Sequence, residues 1–405
     1  MEVDGTREIT YRFRVRINNL CEGNPMFHPP QLSSWIQTVS TELPGLTRRQ
    51  AVGLATYSFG AMCAQSVGMS HVSSFVGELL GQPANTVRQR LRENLYDAAD
   101  KQGRGRRELE VETCFAPLLR WVTKLWRQPD QMLVVGLDAT NLGQRFTVLS
   151  ASVLVNHTAI PVAWVILPAG QHGSWRPHWE QVLARLAGVT QGLTVLVATD
   201  RGLYAKWLFE AIRKLGWHPL LRLRAQGTCV LLENGQQLPL ADIARRVRGG
   251  WWHGPVRCFV GDARLEGTLL ALGDPQQKEV WLLLTDCAPE TVSPTWYALR
   301  MWIEEGFKAC KTGALHWERT RMTDPRRAKR LWLVLALALL LTLSTAPAQS
   351  HPSPTPPRLS LVKQGMLRLL ARAIRQAPLP SLAFYASTLP QPPVMEFIAA
   401  LNTYP

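Results

Sequence analysis

The chain has 405 residues, of which 46% are hydrophobic and 19% are charged. These proportions exclude a disordered chain, and the length predicts two or three packed domains. The net charge of +15 favours a polyanionic partner, either nucleic acid or an acidic membrane surface. The seven cysteines are odd in number and include no Cys-x-x-Cys pair, which argues against a disulfide framework and against a structural zinc site. We therefore expect a reducing, cytoplasmic location.

The N-terminal region, residues 1–130, is predicted to be helical and to end in a linker. Over residues 31–95, apolar residues recur three and four apart, as in amphipathic helices. Within this range, Gly81-Gln82-Pro83 separates two helical patterns and predicts a helix-turn-helix. The second helix carries side-chain types that contact phosphates and base edges in DNA-binding proteins, namely Arg88, Gln89 and Arg92. A plain helical hairpin is the alternative, and the basic segment 101–107 is the predicted linker.

From residue 131 the pattern becomes that of an α/β domain. The continuous apolar run 132–137 and the largely apolar run 193–198 are typical of central strands that are buried on both faces. Asp138 follows the first run directly, and Asp200 follows the second after one threonine. Because open α/β sheets bind ligands at the carboxyl ends of their strands, the two aspartates are candidates for one site. Aspartates at strand ends also form turns or cap helices, so this alternative remains open, particularly for Asp200.

Residues 225–290 predict a β-rich insertion, because short apolar runs alternate there with glycine- and asparagine-containing turns. Trp251 and Trp252 fall in one of the predicted turns, close to several arginines. Exposed tryptophans in such a place could stack on an extruded base. The alternative is that the pair closes the end of a small sheet.

The segment 296–311 predicts a helix with one charged side and one buried side. At about 100° per residue, four side chains fall within an arc of about 60°, namely Tyr297, Arg300, Glu304 and Lys311. The side predicted to be buried contains Leu299, Trp302, Ile303 and Cys310. A carboxylate flanked by a phenol and two cations suits a site for a metal ion and a phosphodiester. The alternative is a surface helix with ion pairs from Arg300 to Glu304 and from Glu304 to Lys308.

The C-terminal part carries most of the net positive charge. Residues 291–405 contain 14 basic and 5 acidic residues, and we expect a DNA end to lie along this part. The basic cluster 326–330 precedes an apolar run, 331–346, that is short for a membrane span of about 20 residues, so a buried helix is predicted there. A Pro-rich link at 347–358 and a basic amphipathic helix at 359–377 follow. This last helix could pack on a partner protomer or on DNA.

The spacing Tyr297-x2-Arg300-x3-Glu304-x6-Lys311 resembles the YREK signature of bacterial DDE transposases of the insertion-sequence type four group. Asp138 and the Asp-Arg-Gly at 200–202 resemble the other two motifs of that group, and the resemblance covers residues 131–345. It implies an RNase H-like α/β fold, in which a mixed sheet is flanked by helices and carries a β-rich insertion. The predicted domains are a helical DNA-binding domain with its linker (1–130), the first part of the core (131–224), the insertion (225–290), the second part of the core (291–346), and a link with a helix that could serve dimerisation (347–405).

The resemblance also implies a mechanism. Asp138, Asp200 and Glu304 would hold two Mg²⁺ ions, for which Mn²⁺ could substitute. Tyr297, Arg300 and Lys311 would grip phosphates next to the cut. Lys308 and Arg201, together with the helix-turn-helix and the two tryptophans, are further candidates for DNA contact.

The function implied is cut-and-paste transposition of an insertion sequence, a mobile genetic element. Such an enzyme binds double-stranded DNA at the transposon ends, cleaves it and joins the 3′-OH ends to target DNA. We expect a homodimer in the synaptic complex, located at the nucleoid and without membrane association. The alternative is a catalytically silent DNA-binding regulator derived from a transposase. The complete set of three carboxylates favours the enzyme.

Overall fold

The computed structural model describes residues 29–101, 106–127, 132–171, 173–190, 192–259, 265–346, 359–385, 389–399 and 401. The predicted Pro-rich link at 347–358, the centre of the predicted linker at 101–107 and residues 1–28 of the predicted N-terminal domain lie outside the described residues.

The described α-helices follow the apolar periodicity of the sequence. In chain order they are α1 (Pro30–Glu42), α2 (Arg48–Cys63), α3 (Met69–Leu80), α4 (Ala84–Glu93), α5 (Phe115–Leu125), α6 (Arg176–Ala184), α7 (Lys206–Lys214), α8 (Leu240–Arg246), α9 (Met301–Lys308), α10 (Pro325–Ser344) and α11 (Leu361–Ile374).

The described strands form one large sheet and one small pair. In chain order they are β1 (Trp126–Arg127), β2 (Met132–Leu142), β3 (Phe146–Val155), β4 (Thr158–Pro168), β5 (Thr194–Thr199), β6 (His218–Arg222), β7 (Cys229–Leu232), β8 (Gln237–Pro239), β9 (Gly250–Cys258), β10 (Leu265–Leu272), β11 (Trp281–Thr285), β12 (Phe384–Tyr385) and β13 (Glu396–Phe397). The large sheet has the order β4-β3-β2-β5-β6-β11-β10-β9-β7-β8, and β13 joins it on β9.

The centre of the large sheet is parallel and its flanks are antiparallel. β2 pairs with β5 and β5 pairs with β6 in parallel, whereas β3 and β4 extend the sheet as an antiparallel meander. β3, β4 and β5 are buried over most of their length because helices cover the sheet. This mixed sheet with flanking helices and an N-terminal helical region confirms the predicted α/β fold class.

The predicted β-rich segment 225–290 continues the central sheet. Its last strand, β11, pairs antiparallel with β6 through the partners Leu283 and Arg222, and Thr285 and Leu220. The segment also contains the helix α8, which sequence analysis did not predict. The sheet therefore extends without a break from the core into this segment.

The apolar run at 331–346 forms most of α10 and lies in the interior, as predicted. Every residue from Leu331 to Leu341 is at most 1% exposed. Trp332 lies at the centre of an aromatic cluster, with its ring centroid 5.4 Å from that of Trp317 and 6.1 Å from that of Trp164. Among the described residues, no helix has the length and apolar character needed to cross a membrane.

The basic cluster 326–330, which belongs to the part along which a DNA end was expected, is paired within the chain. Arg330 is only 4% exposed and contacts Asp97 Oδ1 at 2.6 Å and the carbonyl oxygen of Leu95 at 2.9 Å. Lys329 pairs with Glu112 at 2.6 Å. Distant acidic residues thus neutralise these cations and connect α10 to the N-terminal helical region.

The helix-turn-helix pattern and the C-terminal helix are both present. α3 and α4 flank a turn that starts at Gly81, whose left-handed φ of 63° suits glycine.

α11 packs its apolar face on α10 of the same chain. The sequence had left open a partner protomer or DNA as the surface that this helix contacts. A Cβ atom at Gly365 would lie 2.2 Å from the carbonyl oxygen of Thr342, so only glycine fits at this helix crossing.

Candidate active site

Asp138 and Asp200 lie next to each other at the carboxyl end of the parallel pairing. The last register partners of β2 and β5 are Leu137 and Thr199, and each aspartate is the residue that follows. Asp138 was predicted to end its strand, but β2 continues to Leu142 through its pairing with β3. Since β5 stops at Thr199, the side of Asp138 that faces β5 is left open beyond this point.

Asp200 also forms a turn with one of its oxygens. The backbone N–H of Gly202 donates to Asp200 Oδ1 at 2.9 Å, and a Cβ atom at Gly202 would lie 3.2 Å from that oxygen. The turn-forming alternative is thus confirmed for Oδ1. The helix-cap alternative is wrong, because α7 begins at Lys206 after the N-cap residue Ala205.

The predicted helix at 296–311 is divided into three helical types. A 3-10 helix (Pro294–Arg300) precedes α9, and a π-helix (Ala309–Gly313) follows it. The uniform rotation of about 100° per residue therefore fails at both ends. Tyr297, predicted on the charged side, is only 3% exposed, and Trp302, predicted to be buried, is half-buried.

Close packing against the sheet sets the position of the central helical turn. Gly306 of α9 lies against β4, where a Cβ atom would be 2.9 Å from Cβ of Ala159. Ile303 is fully buried on the same side, whereas Glu304 is exposed. Glu304 therefore faces away from the sheet, and it contacts the same arginine, Arg300, as the two aspartates.

Arg300 lies among the three carboxylates. Its Nη2 is 2.8 Å from Asp138 Oδ2 and 4.0 Å from Asp200 Oδ2, and its Nη1 is 2.9 Å from Glu304 Oε1. The side chains of Arg300 and Asp138 are each 13% exposed. The guanidinium thus brings together Asp138, Asp200 and Glu304, which lie far apart in the sequence.

The charges of this cluster perturb one another. Burial raises the pKa of the Asp138 carboxyl, although Arg300 and the N–H of Ala139 oppose the shift and the carboxylates of Asp200 and Glu304 add to it. Burial alone would lower the pKa of Arg300, but Asp138 and its other neighbours raise it overall. The site therefore combines a buried carboxylate, whose ionised form is destabilised by desolvation, with a guanidinium whose protonated form is stabilised.

Tyr297 lies beside the carboxylate cluster in an aromatic and cationic environment. Its ring meets the ring of Trp281 edge-on at 5.2 Å, and the guanidinium of Arg222 lies 5.8 Å from its centroid. Burial raises the pKa of its hydroxyl. The hydroxyl thus stays protonated at neutral pH and can donate a hydrogen bond.

The two lysines of the segment have different surroundings. Lys311 Nζ donates to Thr140 Oγ1 at 2.9 Å and to the carbonyl oxygen of Asn141 at 3.3 Å, on β2 just beyond Asp138. Lys308 is exposed and pairs with Glu305 at 3.6 Å, not with Glu304 as predicted. The other predicted ion pair, between Arg300 and Glu304, is confirmed.

A basic cavity of about 810 Å³ adjoins the carboxylate cluster. Its cationic lining residues are Arg201, Arg222, Arg224, Arg245, Arg248 and Lys278. Glu279 accepts from Arg201 at 2.6 Å and from Arg222 at 3.0 Å. Arg222 was not among the predicted site residues. It ends β6, the third parallel strand, and ligands of open α/β sheets bind at the carboxyl ends of such strands, so its position in the sequence could have identified it.

The two tryptophans of the β-rich segment lie in strand β9 and not in a turn. Trp252 pairs across the sheet with Ala271 and is 7% exposed, so it cannot stack on a base. Trp251 is half-buried, and its ring centroid lies 4.8 Å from that of Phe397 on β13. Both tryptophans therefore pack as part of the sheet, which differs from the predicted turn and also from the alternative, in which the pair closes the end of a small sheet.

The predicted DNA-contacting residues of the helix-turn-helix lie on the surface. Arg88, Gln89 and Arg92 are all exposed on α4, whereas Val87 and Leu91 of the same helix are buried. Arg92 also stacks over the ring of Tyr96 at 5.7 Å. DNA contact by these side chains stays a prediction.

The carboxylate cluster has the oxygen donors of a divalent metal site, but among the described residues these oxygens do not reach the mutual spacing of metal ligands, because the Arg300 guanidinium lies between them. All three side chains offer oxygen ligands, which Mg²⁺ and similar hard cations prefer, and they already converge on one cationic group. Arg300 Nε is buried and has no hydrogen-bond partner among the described residues. This buried N–H lacks an acceptor in the described part of the chain, and an anionic ligand such as a phosphate would supply one.

Comparison with known proteins agrees with this geometry. A family model described as a transposase DDE domain matches residues 137–341, more than half of the 405-residue chain. No curated protein matches the chain. The matched range begins one residue before Asp138 and includes Asp200 and Glu304.

Proposed function

Because this chain belongs to the family of transposases with a DDE domain, we propose that it cleaves the ends of an insertion sequence and joins them to target DNA. Membership of the family makes it a nuclease-type enzyme that acts on DNA and generally uses divalent metal ions. The membership of the insertion-sequence type four group, the YREK roles and the cut-and-paste pathway are parts of the proposal. The observation that carries it is the convergence of Asp138, Asp200 and Glu304 on Arg300.

In this proposal, Asp138, Asp200 and Glu304 are the ligands of two Mg²⁺ ions, which Mn²⁺ can replace. When bound, the ions polarise the scissile phosphate and lower the pKa of the attacking water or 3′-hydroxyl. The separate elements hold the three carboxylates rigidly, since Asp138 lies within β2, Asp200 in a tight turn and Glu304 on α9.

Neighbouring side chains orient the DNA. Arg300 donates its Nε–H, which is unpartnered among the described residues, to a phosphate oxygen, while its two Nη atoms stay on Asp138 and Glu304. Tyr297 donates from its protonated hydroxyl, and Lys311 supplies a point charge at the opposite end of the segment. These contacts hold the phosphate in line with the nucleophile, which accounts for much of the rate enhancement in phosphoryl transfer.

The rest of the DNA follows the positive surface. The cavity beside Arg201 and Arg222 lies next to Asp200 and carries the cations that flank the cut. The exposed residues Arg88, Gln89 and Arg92 bind the terminal sequence in double-stranded DNA. Two chains act together as a homodimer at the nucleoid, because the two ends must be held for joint insertion.

The test is a comparison of two adjacent glutamates in the full-length protein. Glu304→Gln removes the proposed ligand, whereas Glu305→Gln is the matched control, because Glu305 pairs with Lys308 and not with Arg300. Each variant is incubated with DNA carrying the ends of its element, with Mg²⁺ or with chelator, and the cut strands are mapped. We expect Glu304→Gln to lose cleavage while it retains end binding, and Glu305→Gln to keep both.

Two outcomes would change the conclusion. Cleavage that persists in Glu304→Gln would overturn the assignment of this residue. A wild-type protein that binds the ends but never cuts them would favour the alternative, a catalytically silent DNA-binding regulator derived from a transposase.

A further inference from the structure

A second group of potential metal ligands lies away from the carboxylate cluster. His218 is the first residue of β6, and Asp286 and Cys287 directly follow β11. We propose that these three side chains form a binding site for Zn²⁺ or a similar transition-metal ion. The proposal does not depend on the function proposed above.

The distances suit a tetrahedral ion after a small adjustment. The candidate ligand atoms of the three residues all lie within 4.8 Å of one another, and His218 Nδ1 is 3.1 Å from Asp286 Oδ1. With bonds of about 2.1 Å to nitrogen and oxygen, two ligands of a tetrahedral zinc ion are about 3.4 Å apart. The imidazole and the carboxylate are therefore almost at this spacing, and the ion would replace the proton that they share. The most widely separated ligand atoms must approach each other by at most about 1 Å, which side-chain rotation supplies.

Two neighbours hold the ligands in place. Arg213 Nε contacts Asp286 Oδ2 at 3.2 Å, which leaves Oδ1 directed at His218. The backbone N–H of Cys287 donates to Thr285 Oγ1 at 3.2 Å and fixes the turn that presents the thiol. Partners of this kind orient metal ligands in many proteins.

The ligand set selects a different ion from the one expected at the carboxylates. Thiolate and imidazole are softer ligands than carboxylate oxygens and favour Zn²⁺ over Mg²⁺. Three protein ligands leave the fourth position to a water molecule. The spacing of cysteines gave no sign of such a site, because His218 and Cys287 come together only when β6 pairs with β11.

The position of the site indicates a structural role. His218 and Arg222 are the two ends of β6, and it is Arg222 that lies beside Tyr297 and the carboxylate cluster. An ion held by His218 would link the start of β6 to Asp286 and Cys287, which follow β11. At this point the β-rich segment returns to the core. It would therefore stabilise this junction without touching the reacting phosphate.

Titration with Co²⁺ tests the proposal on the full-length, chelator-treated protein. Co²⁺ bound by a thiolate gives a charge-transfer absorption band, and we expect one equivalent to produce it and Zn²⁺ to abolish it. The band should disappear in Cys287→Ser and in His218→Ala, and it should remain in Cys229→Ser, which changes another half-buried cysteine. A wild-type protein without the band, or a band that survives both Cys287→Ser and His218→Ala, would overturn the proposal.

A second measurement needs no variant and so does not depend on its folding. Wild-type protein is alkylated with and without Zn²⁺, and the modified cysteines are identified by mass spectrometry. We expect Zn²⁺ to protect Cys287 at least tenfold and to leave Cys229 unchanged. Equal alkylation of Cys287 in both samples would show that the group is only a hydrogen-bonded cluster.

Discussion

Removal of the Arg300 guanidinium should destabilise the folded protein through the carboxylates that it leaves behind. Arg300→Ala would place Asp138, Asp200 and Glu304 close together with no cation between them. The variant tests whether Arg300 is the internal counter-ion of the proposed metal ligands. It concerns folding and therefore does not require an active enzyme.

The expected magnitude follows from the distances and the burial. Two unit charges about 4 Å apart attract each other by about 4 kcal/mol at an effective dielectric constant of about 20. Most of this is offset by the desolvation of Arg300 and Asp138, and water screens Glu304, whose side chain is 51% exposed. Removal of one member of a buried ion pair usually costs about 3–5 kcal/mol. We expect Arg300→Ala to lower the free energy of unfolding by that amount at pH 7.

Urea unfolding of the full-length protein in chelator measures the loss. The difference from wild type should shrink towards about pH 4, where ordinary carboxyls become protonated and no longer repel one another. Mg²⁺ should restore more stability to Arg300→Ala than to wild type, because an ion that binds only the folded state adds RT ln(1 + [Mg²⁺]/Kd).

Two further variants serve as controls, one that keeps the charge of Arg300 and one that breaks an exposed ion pair. Arg300→Lys keeps the charge but loses the planar fork, so its loss should be smaller. Arg176→Ala removes an exposed pair with Glu180, whose side chains are 54% and 45% exposed, and should cost less than about 1 kcal/mol. Arg300 is not the counter-ion of the carboxylates if Arg300→Ala costs no more than Arg176→Ala, or if its loss is the same at pH 4 and pH 7.

Three other substitutions have defined outcomes. Asp138→Asn should abolish cleavage without loss of thermal stability at pH 7. The raised pKa of Asp138 means that its ionisation weakens the fold as pH rises through that pKa, and a clear fall in Tm would contradict this. Arg330→Ala should cost about 3–5 kcal/mol in urea unfolding, because it leaves Asp97 without its buried partner; a loss below about 1 kcal/mol would disprove that role. Gly365→Ala should cost about 1–3 kcal/mol in the same assay, since its new methyl group collides with the α10 backbone, and a neutral result would show that the two helices can separate.

The elements predicted correctly are those that a local pattern determines. The apolar runs before Asp138 and Asp200 became buried parallel strands, and the run that includes Trp332 became the buried part of α10. Neighbouring parallel strands end at the same edge of a sheet, so the two aspartates came out side by side.

The features that were missed depend on contacts with distant parts of the chain. The predicted helix is divided into 3-10, α and π segments. Its central turn packs through Gly306 on β4, and the spacing of apolar residues along a helix gives no information about such a contact. Trp252 was assigned to a turn because glycines precede it, but the cross-strand partners on β10 extend the strand through it. The cations at 326–330 looked free for DNA because their acidic partners lie more than 200 residues earlier in the chain.

The pairing of β6 with β11 has a consequence for how this chain can change in length. Leu220 and Thr285 are register partners, so the chain leaves the core and returns to it at neighbouring points. Segments whose ends meet in this way can be lengthened, shortened or exchanged while the surrounding domain keeps its shape. Insertions at the exposed turns between residues 225 and 280 would therefore leave Asp200 and Glu304 where they are.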